Sequence, residues 1–112
     1  MTKLLIGDFA ITKCDYYGNY NLIRFLKFNA ELKLNLNPIV DYNSYEIIVQ
    51  NDKNEAIGVL NMNDSAKNII VPYLKQEWNS SLYECRISKV DTKASINERL
   101  KATVWIKKII KN

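Results

Sequence analysis

The eight residues Ala30-Glu31-Leu32-Lys33-Leu34-Asn35-Leu36-Asn37 alternate without a break between apolar and polar side chains. Successive side chains of a strand point to opposite faces, so this run has one face for a core and one for water, a pattern a helix cannot use. Pro38 follows and, lacking a backbone donor, is expected to end the strand. A half-buried strand is not stable alone, so the rest of the chain has to supply its neighbours.

Upstream, Leu4 to Thr12 and residues 22–28 are short apolar-rich runs separated by Tyr16-Tyr17-Gly18-Asn19-Tyr20, in which Gly18-Asn19 supplies turn chemistry. Downstream, residues 45–50 are β-branched and aromatic, Asp52-Lys53-Asn54 is a polar turn, and Ala56 to Leu60 returns as a strand, which predicts a hairpin. Gly58 within the returning strand marks a bulge, a bend or a close backbone approach. From Asn63 or Asp64, as cap, the period changes: Ala66, Ile69, Ile70 and Tyr73 recur at intervals of three and four, which predicts a helix. Pro72 would clash with the carbonyl of Asn68, so the helix is expected to break near Val71, with Pro72 starting a second turn through Trp78; two short helices or one kinked helix fit equally. Tyr83, Cys85 and Ile87, and then Leu100, Ala102, Val104 and Ile106, each occupy one face of a closing strand, with the polar stretch 91–97 between them.

Five strands, a helical piece and two further strands within 112 residues predict one domain over residues 1–112. The expected fold is mainly β with one or two short helices. Curling the sheet into a small, partly open OB-like or SH3-like barrel protects its edges and lets one core serve every strand.

The chain contains no histidine, which removes Ser-His-Asp and Cys-His catalysis and imidazole-based zinc sites. The three glycines, at positions 7, 18 and 58, fit no phosphate-binding loop, and the twelve carboxylates lack metal-loop spacing. No catalytic residue, no metal and no cofactor is expected, so the chain reads as a binding protein and not as an enzyme. Cys14 and Cys85 lack CxxC spacing; they read as two buried reduced thiols, with a single disulfide in a secreted domain as the alternative. The N-terminus has only a three-residue apolar run before Gly7, and no run approaches the roughly 20 apolar residues that span a bilayer, so a cytoplasmic protein without membrane contact is expected. Asn79-Ser80-Ser81 fits the glycosylation pattern but needs a secretory route. The formal charge of +4 is mild, and its densest cluster, Lys107, Lys108 and Lys111, reads as a solvated strand end.

Tyr16, Tyr17 and Tyr20, and again Tyr42 and Tyr45, gather around turns, where exposed rings stack on bases or fill a protein pocket. Taken in order, Tyr16-Tyr17-Gly18, Leu34 with Asn37-Pro38, Asp41-Tyr42-Asn43 followed by Ile47 and Val49, Ile57-Gly58-Val59-Leu60 and Ala66 resemble the HIRAN domain, from about Phe9 to Ile106. The resemblance implies an OB-like barrel that recognises single-stranded DNA, notably its 3′ end, with Tyr16 and Tyr42 stacked on terminal bases. The chain departs from the family pattern in places. Asn43 stands where an aspartate usually accepts from the 3′-hydroxyl, Asp15 where a basic residue can face phosphate, and Val59 where an aromatic residue or histidine follows the glycine; Asn61 and Met62 occupy a stretch often basic in relatives.

Two functions follow as expectations. The first is a nucleic-acid-binding module in which Tyr16 and Tyr42 stack on bases of single-stranded DNA while Arg24 and nearby lysines hold phosphates, with Tyr17 and Asn43 in the same nucleic-acid-binding site. The alternative is a small interaction protein of viral or mobile-element origin that binds and inhibits a bacterial nucleic-acid-processing complex, as anti-CRISPR proteins do, through an aromatic hot spot.

Overall fold

The structure, a computed structural model, describes residues 3–14, 26–39, 44–76 and 82–107. Its elements are β1 (Leu4–Thr12), β2 (Glu31–Ile39), β3 (Ser44–Gln50), β4 (Ala56–Leu60), α1 (Asp64–Leu74), β5 (Tyr83–Val90), a short 3-10 turn (Ile96–Glu98) and β6 (Leu100–Ile106). The strands form a closed antiparallel barrel in the order β1-β4-β3-β2-β5-β6, so the mainly β, OB-like barrel expected from the sequence is found, and its ring closes completely.

Alternation places the core as the sequence implies. Leu32 and Leu34 of β2 are buried while Glu31, Lys33 and Asn35 are exposed. Tyr83, Cys85 and Ile87 face inward opposite Leu100, Ala102, Val104 and Ile106. A continuous apolar cluster, running from Ile11 to Ile106, fills the barrel and packs against α1.

Two seams close the ring with little backbone pairing: β1 meets β4 only at Ile11↔Leu60 and Thr12↔Val59, and β2 meets β5 at Glu31↔Arg86 and Leu32↔Cys85. Gly58 makes the first seam tight enough to close. A Cβ there would lie 2.5 Å from the Thr12 carbonyl oxygen and 2.9 Å from Ile11 Cγ2, so a backbone approach, one of the readings left open, explains the glycine.

Contrary to expectation, Pro38 does not end β2, which continues to Ile39 with Pro38 paired to Tyr45; β5 accompanies β2 only near its start, so the far edge tolerates a residue without an N–H. Of the strand expected over 22–28, residues 22–25 lie outside the described residues; at its described end Leu26 and Lys27 are irregular, and a turn spans Lys27 to Ala30, whose N–H donates to the Lys27 carbonyl at 3.1 Å. Among the described residues four strands precede the helix.

Of the two forms left open around Pro72, the structure has the single helix, with no break at Val71. One helix runs through Pro72 to Leu74, because Ala66, Ile70 and Leu74 form a buried stripe that holds the last turn on the core despite the lost bond to Asn68. Ile69, expected on that stripe, is 47% exposed. The Asn63 side chain accepts from the Ala66 N–H at 2.8 Å and so fixes the start of the helix. Trp78 lies outside the described residues.

Candidate functional site

The five residues singled out for nucleic acid, Tyr16, Tyr17, Arg24, Tyr42 and Asn43, all lie outside the described residues, as does Asp15. What the barrel does define is where the chain leaves and re-enters it around them. At the end of β1, Lys13 turns with φ of 55° and its Nζ meets Glu46 Oε2 of β3 at 2.8 Å. Asn37 of β2 donates its amide to Glu46 Oε1 at 3.3 Å. Lys13 precedes Tyr16 by three positions and Glu46 follows Tyr42 by four, so one ion pair ties together the chain flanking the two tyrosine segments.

At the start of β3 lies an open pocket of about 420 Å³ lined by Ser44 and Tyr45 and by Asp64, Lys67, Asn68 and Val71 of α1. The helical residues are spaced i, i+3, i+4 and i+7, which is one face, and it is a different face from the buried stripe Ala66, Ile70, Leu74. Lys75, one turn beyond Val71, places its ammonium 5.0 Å from the centre of the Tyr45 ring. The pocket therefore offers a half-buried ring, the ammonium group of Lys67, one carboxylate and the polar side chains of Ser44 and Asn68, and the Lys75 ammonium stands over the same ring. Such a set can hold a planar ring against Tyr45, accept from a hydroxyl at Asp64 and neutralise an anion at Lys67 or Lys75.

Of the other positions that depart from the HIRAN pattern, Val59 pairs with Ile48 on the outer face of β4 and β3, and each is only 8% exposed. Met62 is buried in the core, and Asn61 is exposed with its N–H donating to the Ala10 carbonyl at 2.8 Å. None of these three supplies a cation.

Sequence reasoning passed over Ser44, Lys67, Asn68 and Lys75. The helical period alone would have put Asp64, Lys67, Asn68 and Val71 on one face; what it could not give is that this face turns toward the start of β3.

Neither thiol offers a ready nucleophile. Cys14 and Cys85 are buried thiols outside any disulfide, and burial pushes the Cys85 thiol up to about 12, far above neutral pH. Among the described residues no helix is long and apolar enough to cross a membrane. Compared with known proteins, the chain has no significant match to a family model, to a curated protein or to a solved structure.

Proposed function

We propose that the protein is a nucleic-acid-binding module that takes the end of a single strand at the junction of β1, β3 and α1. The observation that carries this reading is the Lys13–Glu46 ion pair at 2.8 Å, which joins the chain flanking Tyr16-Tyr17 to the chain flanking Tyr42-Asn43, two residues along β3 from the Ser44 that lines the pocket of Tyr45 and Lys67. Aromatic rings near ammonium groups are the chemistry that single strands select: each stacked base contributes roughly 1–3 kcal/mol, and each phosphate neutralised makes binding salt-dependent. In this reading Tyr16 and Tyr42 stack on the last bases, Lys67 and Lys75 hold phosphate, and the Asp64 carboxylate or Asn43 amide accepts from the terminal hydroxyl. The module performs no chemistry on its ligand.

Fluorescence anisotropy with a short single-stranded DNA bearing a free or blocked 3′ end tests the reading, across salt, for the native chain and for Tyr42→Ala, Tyr16→Ala and Lys75→Ala. Salt-sensitive binding that prefers the free end and weakens in all three variants is the expected result. Binding absent at low salt, or indifferent to the three substitutions, would refute it.

A protein-binding reading has its own observation: Leu4 and Leu5 are 57% and 60% exposed beside Lys3, whose Nζ lies 4.6 Å over the Trp105 ring. An exposed apolar pair next to a tryptophan fits the hot spot of an inhibitor that docks on a nucleic-acid-processing complex. Leu5→Glu would abolish capture of such a partner and leave DNA binding intact.

A further inference from the structure

The acidic groups on the outer face of β1, β6 and β5 are already engaged. Glu84 is held by Lys3 Nζ at 2.6 Å and approached by Arg86 Nε at 3.5 Å, and Asp8 accepts from Ser88 Oγ and from Thr103 Oγ1. Along the same face, toward the β5–β6 loop, the pattern changes. Lys89 pairs with Lys101 where β5 bulges against β6, the register shifting between Ile87 and Lys89; both side chains are exposed, and among the described residues neither has a carboxylate partner. Like charges placed opposite one another in a ladder oppose folding, so nothing in the fold itself accounts for the pair.

The adjoining loop is of mixed charge: Lys93 is exposed, and Asp91, which accepts from the Lys93 N–H at 3.1 Å, and Glu98, which accepts from Ser95 Oγ at 2.9 Å, keep their negative charge. On the other side of β5 lies Phe28, at 74% the most exposed large apolar side chain among the described residues. It is held out and not left loose. The Asn29 N–H donates to the Ile87 carbonyl at 2.7 Å, the Ile87 N–H donates to the Ala30 carbonyl at 2.9 Å, and Arg86 Nη1 donates to the Asn29 carbonyl at 2.9 Å. Asn29 has φ of 69°, the positive value that the third residue of a type II turn requires, and its neighbour Lys27 is exposed. The turn is thus fastened to Ile87, two positions from Lys89.

We infer that Phe28, Lys89 and Lys101, with Lys27 and Lys93 at the margins, form a second contact surface for single-stranded nucleic acid, in which a base stacks on Phe28 and the lysine pair straddles the phosphodiester backbone. Charge complementarity selects the occupant: a backbone carrying one charge per nucleotide relieves the repulsion between Lys89 and Lys101, and the open phenyl ring accepts any base. This inference rests on the nucleic-acid reading above and extends it. The surface lies at the loop end of β5 and β6, whereas the pocket lies at the start of β3, which pairs with the far end of β2. The strand end is then held at the pocket, and the body of the strand crosses the barrel to reach Phe28.

The experiment compares single-stranded DNA of about 16 and about 4 nucleotides, the range of site sizes of one OB-like barrel, for the native chain, Phe28→Ala and the double variant Lys89→Gln/Lys101→Gln. On the longer strand the double variant is expected to reduce the slope of log K against log salt by about 1.4, two contacts at about 0.7 each. Phe28→Ala is expected to weaken binding roughly 5- to 100-fold with the slope unchanged. The short strand, held at the pocket alone, should bind all three proteins equally. Unchanged slope and affinity on the longer strand would overturn the inference, and so would equal, equally salt-sensitive capture of polyglutamate, which would make the surface a site for acidic polypeptides. A slope change that persists while Tyr42→Ala and a blocked 3′ end have no effect would uphold this surface and refute only the end-binding reading. All three substitutions fall on exposed positions, so melting curves close to native are expected alongside.

Discussion

The phenol of Tyr83 takes over from the backbone where β2 and β5 part: its oxygen accepts from the Leu34 N–H at 2.7 Å and donates to the Leu34 carbonyl at 3.3 Å. The backbone ladder between these strands includes Glu31↔Arg86 and Leu32↔Cys85, and beyond it one side chain satisfies both polar groups of a buried residue. Tyr83→Phe keeps the ring in the core and removes only this link. A buried donor and acceptor left without a partner cost about 1–3 kcal/mol together or singly, so urea unfolding should lose about that much stability with m unchanged. A loss below about 0.5 kcal/mol would mean that water reaches Leu34 in the native state.

Stability should also fall on the alkaline side, and Cys85 sets where the fall begins. Burial pushes its thiol from 9.0 up to about 12, and burial raises the Tyr83 phenol above its ordinary 10.0 as well. Below pH 9 both groups are neutral in folded and unfolded chains alike, and the full stability is present. Above it the unfolded chain releases the thiol proton while the folded chain keeps it, so unfolding is favoured by about 1.4 kcal/mol per pH unit for each proton released. The loss ends once pH passes the folded value. Urea midpoints measured from pH 8 to 11 should decline from about pH 9, and Cys85→Ala should flatten the first part of that decline. An identical profile in the variant would assign the decline to other groups.

The β1–β4 seam gives a third test, since it consists of two paired positions across which Gly58 lets the backbones approach. Gly58→Ala sets a methyl group 2.5 Å from a main-chain oxygen that cannot rotate away, so the strands must separate. The expected loss is about 1–3 kcal/mol in chemical denaturation. An unchanged denaturation midpoint would show that the two strands of the seam separate without cost and that Gly58 is not what lets it close.

How much of this was readable beforehand depends on whether local pattern or remote packing decides a residue's place. The alternation of residues 30–37 and the single-face sets Tyr83, Cys85, Ile87 and Leu100, Ala102, Val104, Ile106 all appear where periodicity puts them, because strand alternation is a local property. The course of α1 through Pro72 was not readable, since it depends on Leu74 reaching the core, and neither was the continuation of β2 through Pro38, which depends on where β5 stops. Of the candidate site, the tyrosines and Arg24 were chosen from composition and resemblance and lie outside the described residues, while Lys67, Asn68 and Lys75 become neighbours of Tyr45 only once the barrel has closed. Lys89 and Lys101 are twelve positions apart, and their confrontation is a matter of register.

That register yields the last test. If Lys89 and Lys101 face each other to meet a polyanion, the free protein carries a repulsion that folding alone would have removed. Lys101→Glu turns the like pair into an opposite one on the same exposed ladder, and cross-strand charge pairs of this kind differ by roughly 0.2–1 kcal/mol in each direction. The variant should therefore melt higher than the native chain at low salt, by a few degrees for a domain of this size. The difference should shrink toward zero near 1 M salt, where the screening length falls to about 3 Å. The same substitution should weaken binding to the longer strand. Greater stability with weaker binding in one variant would mean that the lysine pair opposes folding and serves the ligand, whereas lower stability at every salt concentration would mean that Lys101 supports the fold through its aliphatic stem.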